Sequence, residues 1–228
     1  MSLIEQLRVR RLSASLATVW LLPVALLLLV SAGSSVGAMP LAVASLLALV
    51  PVPVYLVSVL ALDHFEREPP HLLLFAFVWG ATGAIVIALF MYGFARGVGA
   101  PDFFLAYLSA PIFEEGAKAL VVAVLYVRKR TEFDGIVDGI VYASMAGLGF
   151  AAMENILYYS DAYLQGYETL QATWIMRGLI SPFAHPFFTS ATGIGLGVAR
   201  YARNPAVRVA APGAEEASRR RRPCGAGR

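Results

Sequence analysis

Two adjacent carboxylates stand inside an apolar run, Leu108-Ser109-Ala110-Pro111-Ile112-Phe113-Glu114-Glu115-Gly116-Ala117-Lys118. A third carboxylate, Glu154, is followed by Asn155 in another apolar run, and His185 stands between Pro182 and Pro186 in a third. An ionisable group at the centre of a bilayer costs at least about 2.5–3.5 kcal/mol, so each of these needs a reason. Lys118 lies four residues after Glu114 and three after Glu115, within reach of either on one helix face. A Glu–Lys pair that only fixes packing accounts for one carboxylate and leaves the other without a partner on its own helix. A function outweighs packing here.

Three carboxylates and a histidine gathered in a membrane cavity suit two hydrolytic chemistries. In one, the histidine and two carboxylates hold a zinc ion, and the remaining glutamate is general base towards water. In the other no metal takes part: a glutamate activates water and the histidine stabilises the oxyanion. A third use is an ion or proton path, since carboxylate–histidine chains also serve transporters. Against transport, the chain has no inverted repeat and no second set of broken helices. Nor does it carry a phosphate-binding loop, a Gly-x-Ser-x-Gly elbow or a His-Glu-x-x-His sequence.

The elements that must position these groups follow from composition. Of 228 residues, 58% are hydrophobic and 14% charged, which excludes an ordinary soluble domain and leaves too few polar residues for general disorder. Cys224 is the one cysteine, so a disulfide scaffold and a cysteine-ligated zinc or iron–sulfur site are excluded. The net charge of +3 comes from residues beside hydrophobic blocks or in the C-terminal tail, a pattern that suits lipid head groups and not nucleic acid.

The expected fold is an all-α, polytopic transmembrane helical bundle. Six stretches are long enough to cross a bilayer, near residues 16–32, 40–62, 72–95, 102–127, 135–160 and 172–199. The first is read as a retained anchor, because its apolar run exceeds that of a signal peptide. Arg8, Arg10 and Arg11, then Arg67, then Arg128, Lys129 and Arg130, and finally the Arg-rich tail fall on one side. Both termini are therefore expected in the cytoplasm, by the positive-inside rule. Residues 1–15 are read as a cytoplasmic N-terminus, 16–200 as the transmembrane domain with its motif core at 102–200, and 201–228 as a disordered basic tail.

Pro111 is expected to kink or break its helix just before the two glutamates. Asp134 is read as a helix cap; Asp138 is balanced between capping and function. Glu154 lies about 24 Å of helix beyond Asp138, in the outer half of the membrane. Gly147 and Gly149 allow a neighbouring helix to come close. Arg177 lies near the outer end of the sixth span. Thr189 and Thr192 are read as bonding to their own backbone.

Taken together and in order, these residues resemble the PrsW family of intramembrane proteases. The likeness rests on Phe113-Glu114-Glu115-Gly116-Ala117-Lys118, on Asp138 to Tyr142, on Gly147 to Ala151 with Glu154-Asn155, and on His185 to Thr189 followed by Gly193. It covers roughly residues 50–200. The resemblance implies a fold shared distantly with the CAAX prenyl proteases. It also implies cleavage of a single-pass membrane protein, such as an anti-sigma factor, near the extracytoplasmic side of a bacterial plasma membrane. Glu114, Glu115, Glu154 and His185 carry over as the catalytic group, with Asn155 as helper. Family members continue into further apolar helix, whereas here the chain turns into Pro212-Gly213-Ala214-Glu215-Glu216-Ala217-Ser218 and four arginines. That departure makes a non-catalytic scaffold, a truncated pseudoprotease like a distant relative among the gamma-secretase subunits, the rival reading.

The roles assigned on this basis are Glu115, Glu154 and His185 as ligands of zinc and Glu114 as general base. Lys118 tunes their charge and Asn155 orients the substrate carbonyl. The metal-free glutamic mechanism stays open beside the metal one, and the two glutamates can exchange roles. The expected partners are a single-pass substrate and the bilayer, with no nucleic acid; the oligomeric state is left open.

Overall fold

The computed structural model describes residues 3–64, 67–181 and 183–201, and all elements among them are helical. The expected tail therefore lies outside the described residues, except for Tyr201, which closes the last helix. The helices are α1 (Leu3–Val36), α2 (Ala38–Leu49), α3 (Val52–Leu62), α4 (Pro70–Trp79), α5 (Ile85–Gly97), α6 (Asp102–Phe104), α7 (Ala110–Arg128), α8 (Ile136–Gln165), α9 (Tyr167–Trp174) and α10 (Ala184–Tyr201).

Helix α8 is the axis of the bundle. It is apolar on all sides, as a helix buried by neighbours all round must be. Helices α2, α3, α4, α7, α9 and α10 all pack on it. Its middle reads Ala143-Ser144-Met145-Ala146-Gly147-Leu148-Gly149-Phe150-Ala151-Ala152, small residues that let neighbouring backbones approach and leave the volume to Phe150, Leu148 and Met145. Helix α10 comes close at Gly139 and Gly193: a Cβ added to Gly193 would lie 2.0 Å from the Gly139 carbonyl oxygen, so any larger residue would push α10 away.

The outer faces of the bundle are strongly apolar, with Trp20, Phe90, Tyr107, Phe187 and Phe188 among the exposed residues. A soluble protein would not show so much apolar surface; a lipid-facing one must. Four stretches among the described residues are long and apolar enough to cross a bilayer: Thr18–Val36, Ala38–Leu62, Pro70–Gly97 and Ile136–Gln165. The other two expected spans hold most of the intramembrane charge.

Those two spans also depart from simple helices. Expected as one helix, 172–199 is divided: α9 runs into a π-turn at Ile175–Ile180, and α10 starts afresh at Ala184. Pro111 does not break its segment. A π-turn at Leu105–Ser109 joins α6 to α7, and Pro111 falls in the first turn of α7, where a missing N–H costs little. A third π-turn, Gly80–Ala84, lies between α4 and α5 and presses Gly80 against the α8 backbone at Ala146. Side-chain bonds to carbonyl oxygens of other helices tie the bundle together. Trp79 Nε1 donates to the Ala117 oxygen at 3.0 Å, Trp174 Nε1 to that of Leu47 at 3.2 Å, and Tyr55 Oη to that of Gly178 at 2.6 Å.

Candidate active site

Three helices carry the expected site residues. Glu114, Glu115 and Lys118 occupy the first half of α7, Glu154 and Asn155 the second half of α8, and His185 the first turn of α10. The start of α10 can reach α8 because of Gly147: a Cβ there would lie 2.8 Å from the His185 carbonyl carbon and 2.7 Å from the Pro186 nitrogen. A small residue on the α8 axis thus sets where the histidine stands.

The structure brings Glu114, Glu154 and His185 together. One donor atom from each lies within 4.8 Å of the others, and no other set of three or more His, Cys, Asp or Glu gathers in this way among the described residues. His185 Nε2 lies 2.9 Å from Glu154 Oε2, and Nδ1 lies 3.9 Å from Glu114 Oε2. Their side chains keep 20, 14 and 19% exposure in the order Glu114, Glu154, His185, so solvent or a substrate can reach them.

Lys118 is the hub beneath this group. It is fully buried, with Nζ 2.8 Å from Glu115 Oε1, 2.8 Å from His185 Nδ1 and 3.6 Å from Glu114 Oε2. It also sits 3.8 Å over the Phe150 ring. An ammonium has only donors, so His185 Nδ1 accepts and the ring proton sits on Nε2, where it is donated to Glu154.

Glu115 stands apart from the group in which the sequence placed it. Its Oε1 accepts from Lys118 and its Oε2 lies 2.8 Å from Thr189 Oγ1, which is also 2.8 Å from the His185 carbonyl oxygen. The reason is helix geometry. Adjacent side chains diverge by about 100°, so only one glutamate of the pair can face Glu154, and that one is Glu114. Thr189 therefore does more than bond to its own backbone.

Arg177, noted from sequence only for its position, belongs to the site. It is ion-paired through Nη2 with Glu154 Oε2, its Nε donates to Asn155 Oδ1 at 2.8 Å, and its guanidinium lies 4.0 Å over the Tyr158 ring. A signal was present: Arg177 is the one arginine within 172–199, and an intramembrane arginine demands a carboxylate partner. Asp138 also resolves. Its Oδ2 accepts the backbone N–H groups of Asp134 and Gly135 at 2.8 and 2.6 Å, so Asp138 caps α8, not Asp134 as expected.

Two carboxylate oxygens and an imidazole nitrogen, partly open, match the donor set of a catalytic zinc site with a vacant position. Glu114, Glu115 and Glu154 against Lys118 and Arg177 leave one net negative charge, which a cation would relieve. The residues present fit such an ion.

Comparison with known proteins decides the family. The model of the PrsW family of intramembrane metalloproteases matches residues 68–215, well over half of the chain. The chain belongs to the PrsW family. Proteins named Protease PrsW are similar to it: that of Geobacillus kaustophilus is 36% identical over 141 residues, 61% of this chain and 59% of the relative. The Bacillus subtilis protein is 32% identical over 145 residues, 63% of each chain, and that of Clostridioides difficile 28% over 152 residues, 65% of this chain and 62% of the relative. The chain thus spans about three-fifths of the length of these PrsW relatives. No solved structure matches it. The PrsW match and the membrane-length helices place the protein in a bacterial membrane as a multi-pass protein. All the site residues named above fall inside the matched stretch.

Proposed function

We propose that this chain is an intramembrane endopeptidase that hydrolyses a peptide bond of a single-pass membrane protein, of the anti-sigma-factor kind, near the extracytoplasmic side. The observation that carries the reading is the meeting of Glu114, Glu154 and His185, from three helices and each partly exposed, within a membrane bundle. Its orientation is the one expected from the basic loops, with six crossings and both termini cytoplasmic.

Glu114, Glu154 and His185 would hold the metal, which we take to be zinc, with His185 Nε2 giving up its proton to free a lone pair for the ion. When bound, such an ion polarises the scissile carbonyl and acidifies water. Glu115, the remaining carboxylate and the most exposed of the four at 29%, accepts the proton of the attacking water. Lys118 holds Glu115 and His185 at fixed positions through two 2.8 Å contacts. Asn155 orients the substrate carbonyl. The metal-free glutamic route is favoured by one observation: both ring nitrogens of His185 are already engaged, Nδ1 by Lys118 and Nε2 by Glu154.

The test is cleavage of a panel of single-pass reporters by the full chain in phospholipid vesicles. The wild type cuts at least one of them and Glu154→Gln cuts none. A wild type as inert as Glu154→Gln contradicts the protease reading and leaves the scaffold.

A further inference from the structure

We propose that Arg177 is a positioning residue of the hydrolytic site, fixing Asn155 so that its amide N–H₂ is the end offered to the substrate carbonyl. The role rests on the proteolytic reading above. Arg177 Nε is a donor with no accepting lone pair, and it lies 2.8 Å from Asn155, so the atom it meets must be Oδ1. With its oxygen turned to the guanidinium, the amide of Asn155 presents its nitrogen on the other side, and Nδ2 donates. A donor is what a carbonyl oxygen gaining negative charge requires.

The same guanidinium pairs with Glu154 through Nη2 and stacks over Tyr158. Three positions on one face of α8, 154, 155 and 158, therefore grip a single planar group, and the group in turn holds Glu154 and Asn155 in fixed relation. Its base is also held. Arg177 projects from the π-turn Ile175–Ile180, where the local widening of the helix re-aims side chains. One residue on, the Gly178 carbonyl accepts Tyr55 Oη at 2.6 Å, and Gly178 is buried. Arginine alone suits this place. Lysine would keep the charge beside Glu154, but its single ammonium cannot reproduce a planar fork directed to both neighbours at once.

The experiment is a double-variant cycle on the full chain in vesicles, with Arg177→Lys, Asn155→Ala and both together, read on a reporter that the wild type cleaves. Arg177→Lys is expected to keep the wild-type zinc content and melting temperature and a KM within about twofold, and to lose about 10²–10³ in kcat, the worth of one oxyanion donor. Asn155→Ala is expected to lose as much, and the double variant no more than the worse single one. Arg177→Lys at the wild-type kcat, or losses that multiply in the double variant, would overturn the role of Arg177 alone. A loss of zinc or of melting temperature in Arg177→Lys would also overturn it, in favour of a purely structural ion pair. A wild type that cleaves no reporter removes the proteolytic reading itself and this role with it.

Discussion

Two groups of buried carboxyls sit at opposite ends of α8, and they are kept in different ways. Near its start, Asp63, Glu68 and Asp138 are 5, 6 and 7% exposed. They are held by neutral donors: Asp63 accepts the Glu68 N–H at 2.9 Å, Asp138 caps α8, and Glu68 accepts a short bond from Tyr142. Towards its far end, Glu114 and Glu154 are more exposed and are held by cations, Lys118 and Arg177. Neutral donors and deep burial make a lock that fastens the α3–α4 connection to α8. Countercharges and a partial opening keep carboxylates available for a substrate or an ion. Carboxylates balanced by buried or half-buried cations, and gathered with a histidine, are what separate the working end from the structural one.

The comparison can be broken first at the working end. Glu154→Gln and His185→Ala are expected to abolish reporter cleavage and zinc binding together while leaving the melt near that of the wild type, because those side chains keep some exposure. Glu115→Gln should keep its zinc and lose about 10²–10⁴ in kcat, the usual worth of a general base. Next in size is Lys118→Met. It strands Glu115 and Glu114 without their buried countercharge, and breaking such a pair costs about 3–5 kcal/mol, to be read as a lowered melting temperature and loss of cleavage.

The lock should respond more mildly and in another variable. Burial, helped by the nearby Asp138 carboxylate and opposed by the Tyr142 hydrogen bond, pushes the Glu68 carboxyl up to about 8 from an ordinary 4.5. The fold thus favours protonated Glu68. That contribution is complete below about pH 4.5, fades as pH rises and is gone above about pH 8. The melting temperature is expected to fall from pH 5 to pH 9, and Glu68→Gln should flatten the fall while leaving cleavage near wild type. A cleavage loss in Glu68→Gln as large as in Glu115→Gln would erase the distinction between the two ends. Smallest of all, Asp138→Asn weakens one helix cap and should cost about 1 kcal/mol.

Much of this was legible in the sequence because a membrane makes charge expensive. Glu114, Glu115, Glu154 and His185 stand out from apolar runs by type alone, and the reach of Lys118 to both glutamates follows from helical spacing. What was not legible is rotational or local. Whether Glu114 or Glu115 faces Glu154 depends on the setting of α7, which the π-turn at Leu105–Ser109 shifts. The seating of Arg177 against Asn155 arises from another π-turn. A one-residue widening has no composition of its own, so hydropathy and spacing pass over it. The choice of Asp138 over Asp134 as cap likewise turned on which residue begins α8, and helix ends are poorly marked where glycine is the N-cap.

The central claim is that Glu114, Glu154 and His185, and not Glu115, form the group that holds a metal in this PrsW-family chain. Zinc content of the purified wild type, Glu114→Gln and Glu115→Gln tests it directly and needs no substrate. The account predicts about one zinc per chain in the wild type and in Glu115→Gln, and its loss in Glu114→Gln. Zinc retained by Glu114→Gln and lost by Glu115→Gln would contradict it.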